Sequence, residues 1–129
     1  MLNDPLANAL SNILNHEKIG RDAVLINPLS GVVAKVLDIL NQEGYVGKYE
    51  IVSEGKGKLI KLHLLGHINK CGVIKPRFGV KKGEFERFEK RFLPARNIGI
   101  MLISTPKGIM THSEAKKKGQ GGKLICYCY

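Results

Sequence analysis

The residues of this chain best suited to specific chemistry fall in one short run, Ser104-Thr105-Pro106-Lys107-Gly108. It offers two hydroxyls, each able to donate and accept a hydrogen bond, and one ammonium. Such hydroxyls suit base edges and ribose 2′-hydroxyls, and a lysine suits a phosphate. The same residue types also make an ordinary polar hairpin turn, so by themselves they leave both readings open. Downstream, Gly119-Gln120-Gly121-Gly122 allows a sharp turn or a close approach to another backbone. Neither GxxxxGK[ST] nor GxGxxG occurs, so a nucleotide site is not expected there.

Metal and covalent chemistry find little support. Cys126 and Cys128 are spaced CxC, which is not a structural zinc pattern, and His16, His63, His67 and His112 are scattered. Cys71, Cys126 and Cys128 read as buried, inert thiols. Their odd number and the lack of CxxC argue against a disulfide framework and suit a reducing cytoplasm. The carboxylates fall beside lysines on helix faces and turns, and no motif of hydrolysis or group transfer appears. An enzyme is not expected, and no cofactor or metal is implied.

The elements that must position the 104–108 run follow from periodicity. Asp4 before Pro5 reads as an N-cap and first helical residue. Leu6, Ala9, Leu10, Ile13 and Leu14 continue a helix over about residues 5–16, with Asn8, Ser11, Asn12 and Asn15 on its polar face. Ala23 to Ile26 reads as a short strand. Ser30 is the candidate cap of a second helix, with Val33, Val36, Leu37 and Leu40 on one side and Gly44 as its stop. Residues 45–53 and 58–65 read as strands joined by the turn Glu54-Gly55-Lys56-Gly57, the second alternating between apolar and polar positions.

Residues 68–75 read as a strand, and Lys75 to Lys82 as a basic segment broken by Pro76 and Gly79. Residues 84–93 read as a short helix whose Phe85, Phe88 and Phe92 suit core or inter-domain packing better than base stacking. Gly99 to Ile103 reads as a buried strand leading to the 104–108 turn. Thr111 and Glu114 form a capping box for a helix over residues 114–118, with three lysines in its last turn. Lys123 to Tyr129 reads as a final strand, with Leu124, Cys126 and Cys128 on one face and Ile125, Tyr127 and Tyr129 on the other. The fold class expected is α+β: an N-terminal α-β-α-β-β domain over 1–66, packed with a mainly β domain over 67–129 that has one or two short helices.

At 129 residues and 43% hydrophobic, the chain is large enough for a real core, built mainly from aliphatic residues because Trp is absent. Its charge is divided unevenly. Residues 1–66 hold seven basic and seven acidic side chains, and residues 67–129 hold fourteen and four, so the whole net charge of +10 lies in the second half. Nucleic acid is the default partner of such a block. A membrane surface would want a basic amphipathic helix with exposed apolar residues, and only 84–93, with its three Glu, comes near that description. No apolar run approaches a membrane span of ~20 residues, and the N-terminus lacks a signal core; the cytoplasm is the expected compartment.

The order of motifs resembles a known family. Met1 to Ile13, the helix end Gln42-Glu43-Gly44-Tyr45-Val46, and above all Gly99 to Thr111, Ala115 and Gly121-Gly122-Lys123-Leu124-Ile125-Cys126-Tyr127 resemble the small-subunit ribosomal protein S-eight family. The likeness covers essentially the whole chain, and its Phe-rich 84–93 segment looks more like archaeal and eukaryotic members. The resemblance implies two small packed α/β domains without catalysis, a monomer within the ribosome, bound to a helix in the central domain of small-subunit rRNA early in assembly. It implies minor-groove reading by Ser104, Thr105, Lys107 and Gly108, with Gly121 and Gly122 beside them, and N-domain contacts from Asp4, Pro5, Asn12 and Ser30.

Three positions depart from the family pattern. Pro106 stands where Ser is common and brings neither hydroxyl nor amide hydrogen, although its ring can pack on a base or sugar. Gly31 stands where bacterial members tend to be basic. Lys123 stands where they tend to be acidic, and it can meet a phosphate directly. Two further roles remain open to the sequence: repression through the protein's own messenger RNA, as some family members do, and docking of neighbouring small-subunit proteins by the neutral half or the Phe segment.

Overall fold

The computed structural model describes residues 5–26, 31–54, 57–74, 79–81, 83–95 and 98–129. Asp4, Ser30, residues 75–78 and Lys82, and the tip of the expected 54–57 turn lie outside them. The chain divides into two compact units, Met1–Asn69 and Lys70–Tyr129. The described residues form four helices and two antiparallel sheets, the α+β class expected.

In the first unit, α1 (Pro5–Lys18), β1 (Ala23–Ile26), α2 (Gly31–Gln42), β2 (Val46–Glu54) and β3 (Gly57–Leu64) follow the expected order. The sheet order is β1-β3-β2, antiparallel throughout. Leu6, Leu10 and Ile13 of α1 and Val33, Val36 and Leu37 of α2 are buried, as are Val24, Ile26, Ile60 and Leu62 of the sheet. The side chains between them along the strands, such as Leu25 and Lys61, face water, which is the alternation of a one-sided sheet. Helix α1 runs one half-turn beyond the expected end. The amides of Gly20 and Arg21 fold back onto the carbonyls of Glu17 and His16 and so satisfy its last turn. Helix α2 closes at Gly44, with the Tyr45 amide on the Leu40 carbonyl.

The second unit contains β4 (Cys71–Val73), β5 (Gly79–Val80), α3 (Phe85–Phe92), β6 (Ile100–Thr105), β7 (Gly108–Thr111), α4 (His112–Lys118) and β8 (Gly122–Cys128). Its sheet runs β4-β8-β6-β7, with β5 also paired to β8. Strands β4 and β5 therefore share one edge of β8, end to end. The expected strand over 68–75 contracts to three residues, flanked by backbone hydrogen bonds between Lys70 and Tyr129 and from the Ile74 amide to the Ile125 carbonyl. Gly79-Val80, read from sequence as part of a broken basic segment, pairs with Lys123 and Gly122 as a short strand.

Phe85 and Phe88 of α3, Met101 and Ile103 of β6, Ala115 of α4 and Leu124 of β8 pack into one buried cluster. One expectation is corrected here. A register shift opposite Leu102 and Ile103 leaves Ile125 as an extra residue in β8. A bulge of this kind reverses the alternation beyond it. Leu124 therefore joins the core side with Tyr127 and Tyr129, not the side of Cys126 and Cys128. The Phe stripe is core as expected, and this removes Phe85 and Phe88 from any docking surface; Phe92 stacks on Tyr127 at 5.7 Å.

Candidate nucleic-acid interface

The expected five-residue turn is a two-residue one. Strand β6 continues through Ser104 and Thr105, β7 begins at Gly108, and only Pro106 and Lys107 turn. Proline suits the first corner of a tight turn because its φ is already set, and the missing amide hydrogen is not needed there. Gly108 closes the turn at φ 119°, a conformation that side-chain-bearing residues rarely adopt. Thr105 organises the bend. Its hydroxyl donates to the Gly108 carbonyl at 2.8 Å and accepts the Lys107 amide at 3.2 Å. With that proton committed and the residue only 8% exposed, Thr105 builds the turn.

Ser104 is the exposed member of the pair. Its cross-strand partners are Ile109 on β7 and Lys123 on β8, and Lys123 in turn faces Gly79 on β5. Directly paired residues project from the same face of a sheet with Cβ atoms about 5 Å apart. Gly79, Lys123, Ser104 and Ile109 thus form one row across the open end of the sheet, with a hydroxyl beside an ammonium. Lys107 and Pro106 are exposed at the tip.

The glycine pair comes to the same place. A Cβ on Gly122 would lie 2.9 Å from the Ser104 carbonyl carbon and 3.2 Å from the Thr105 Cα, and would clash with the Ser104 carbonyl oxygen. The close approach foreseen for this run is therefore an approach to the hairpin itself. Gly121 and Gly122 are half-buried. In the other unit, Pro5 opens α1 and Asn12 sits two turns further on, exposed with Asn8, Ser11 and Asn15.

Helix α4 follows β7 directly. The Thr111 hydroxyl accepts the Glu114 amide at 3.2 Å, so half of the expected capping box is formed, and the helix starts at His112. Of its three terminal lysines, Lys116 pairs with Glu89 of α3. Lys117 and Lys118 are exposed and meet no carboxylate among the described residues.

Glu89 belongs to a buried cluster with no sequence signal. His112 accepts the Met101 amide on Nδ1 at 3.1 Å, and its Nε2 lies 3.4 Å from Glu89 Oε1, the oxygen that also meets the Lys116 ammonium. Burial pushes the His112 imidazole below its ordinary 6.5; the Glu89 carboxylate opposes this, and the Lys116 ammonium adds to it. A neutral ring is also what the geometry requires, since an amide can donate only to an unprotonated Nδ1. The cluster ties α3, α4 and β6 together beneath the lysine-bearing helix.

Compared with known protein families, the chain matches the family model described as "Ribosomal protein S8" over residues 4–129. The chain belongs to the ribosomal protein S8 family. The S8 proteins are rRNA-binding structural constituents of the small ribosomal subunit, not enzymes, and they act in translation within the ribonucleoprotein. Within this S8 chain, no group of three or more His, Cys, Asp or Glu among the described residues is placed to hold a metal ion. No described helix is long and apolar enough to cross a membrane.

Proposed function

We propose that the tip of the β6–β7 hairpin and the start of β8 read the minor groove of a helix in the central domain of small-subunit rRNA, and that this contact helps assemble the subunit. The observation that carries the reading is the row in which exposed Ser104 lies between exposed Lys123 and half-buried Ile109. The major groove of an RNA helix is too deep and narrow for side chains. The wide minor groove presents 2′-hydroxyls and base edges to a short, rigid projection. Ser104 donates and accepts there, Pro106 packs on a sugar or base, and Lys107 and Lys123 reach the flanking phosphates. Thr105, Gly108, Gly121 and Gly122 hold the projection in shape. Asp4, Pro5, Asn12 and Ser30 add contacts from the first unit.

Affinity and specificity then reside in different residues. Phosphate contacts supply affinity through counterion release, and base-edge contacts supply selection. Ser104→Ala is expected to weaken binding to the cognate rRNA helix by about 1–3 kcal/mol while leaving a plain RNA duplex nearly unaffected. Because Ser104 is exposed, folding stability should change by no more than about 0.5 kcal/mol. Equal losses on both RNAs in a gel-shift or calorimetric titration would overturn the division of labour.

The lysines of α4 give a second expectation. Lys117→Ala with Lys118→Ala should weaken binding to both RNAs and flatten the dependence of affinity on salt by roughly one unit of slope per lost phosphate contact. Lys116→Ala should flatten it less, because Glu89 already holds that ammonium. A salt slope unchanged in the Lys117/Lys118 variant would place α4 outside the interface.

A further inference from the structure

The three cysteines of this chain lie in one sheet, and the register between β4 and β8 sets two of them directly opposite each other. Cys71 pairs with Cys128, and Val73 pairs with Cys126. None of the three is in a disulfide, and all are buried.

The backbone hydrogen bonds fix which kind of pair this is. Lys70 and Tyr129 exchange both of theirs, at 3.0 and 2.9 Å, and so form the hydrogen-bonded pair of the ladder. One step along, Cys71 and Cys128 therefore form a non-hydrogen-bonded pair. The Ile74 amide on the Ile125 carbonyl, three steps further, keeps the same alternation. At a non-hydrogen-bonded site the Cα atoms stand about 4.5 Å apart and the side chains are at their closest. A disulfide needs a Cα separation of about 4.4–6.8 Å, so this pair meets the requirement with its strands in place.

Cys126 is less well placed. It follows Cys128 by two positions on one strand, so those side chains run parallel about 7 Å apart at their Cα atoms. Toward Cys71 it stands on a diagonal.

We propose that Cys71 and Cys128 form a dithiol that a small two-electron oxidant, hydrogen peroxide, closes to an intrachain disulfide without a change of strand register. The Cys71 or Cys128 thiol loses its proton, the thiolate attacks one peroxide oxygen, the O–O bond breaks, and the leaving hydroxide takes up that proton as water, with a sulfenic acid left on the sulfur. The second thiol then attacks that sulfur and releases a second water. Overall, two thiols and one hydrogen peroxide give one disulfide and two waters. The bond braces the outer strand β4 to the C-terminal strand β8, whose other end carries Gly122 and Lys123. A dithiol reductant reverses it.

The test uses the full chain under native conditions. After treatment with hydrogen peroxide and quenching, thiols are counted in denaturant, and the intact mass is measured with and without reductant. Support consists of a fall from three titratable thiols to one, a loss of two hydrogen atoms from the monomer mass, and a raised unfolding midpoint that reductant restores to its starting value. Cys126→Ser, treated in the same way, should yield a reducible cross-link between the peptide containing Cys71 and the C-terminal peptide, and Cys128→Ser should not. Three thiols remaining in the treated wild type, a Cys126–Cys128 bond, a cross-link that persists in Cys128→Ser, or dimers alone would each overturn the assignment. The wild-type measurement decides the matter even if a serine variant fails to fold.

Discussion

Gly122→Ala is expected to destabilise the second unit by about 3 kcal/mol, the upper end of the usual cost of overpacking, and to abolish selective RNA binding. A single added methyl has this effect because it meets backbone. A crowded side chain can rotate away, but the Ser104 carbonyl and the Thr105 Cα are fixed by the ladders on both sides of β6. Relief requires β8 to separate from β6 at the Ser104–Lys123 pair, which is the row proposed to face RNA. Gly79→Ala is the matched control. Gly79 stands on β5 directly opposite Lys123 of β8, and nothing lies within 4 Å of a Cβ added there. Its effect should stay within about 0.5 kcal/mol. Urea unfolding of both variants, followed by titration with cognate and plain RNA, checks the expectation. A Gly122→Ala protein as stable and selective as the parent would show that the glycine does not hold the hairpin.

The proposed site also divides its parts differently from the way their residue types suggest. Ser104 and Thr105 carry the same functional group and are adjacent in sequence. Alternation along β6 turns one hydroxyl to solvent and commits the other to the turn. A loop that reads a groove by hydrogen bonds needs both. One group must be exposed, and another must remove the freedom that would otherwise be lost on binding.

Much of the fold was legible because its helices are amphipathic and its long strands alternate. The α1 stripe from Leu6 to Ile13, the α2 stripe from Val33 to Leu40 and the Thr111 cap all depend on neighbours in sequence, so sequence displays them. The features that escaped depend on partners far along the chain. Gly79-Val80 is too short to show a period and is a strand only because Gly122 and Lys123 lie beside it. The β8 bulge depends on the register with β6, which no pattern within β8 encodes. Ser104 and Thr105 have turn-like composition, and cross-strand pairing nevertheless draws them into the sheet. The residues of the candidate site stand out in sequence by type, and the resemblance to a family joined the 104–108 run to the Gly121-Gly122 pair. The contact between them is tertiary. The Glu89 cluster was invisible for the same reason, since its members lie on two helices and a strand whose packing only the fold supplies.

That cluster should give the second unit an acid-sensitive stability. His112 is held neutral, with its ionisation displaced below the 6.5 of an unfolded histidine. Between the two ionisations the unfolded chain binds the proton more readily, so stability rises with pH across that interval. The contribution is complete above 6.5 and is lost as pH falls through the folded value. Protonation would also remove the acceptor for the Met101 amide, in a residue with no exposed surface. His112→Asn is expected to separate these effects, because the Asn oxygen takes the place of Nδ1 and does not titrate. This variant should retain most of the stability measured above 6.5 and lose much of the acid-side slope. His112→Leu leaves the Met101 amide unpaired and should cost about 1–3 kcal/mol at every pH. Urea unfolding over a pH series, read on all three proteins, distinguishes these outcomes. If His112→Asn kept the full parental slope, the imidazole would not be its source. Since the ring lies in the first turn of α4, the same titration should loosen the helix that presents Lys117 and Lys118. RNA affinity should then fall at acid pH in the parent more than in His112→Asn.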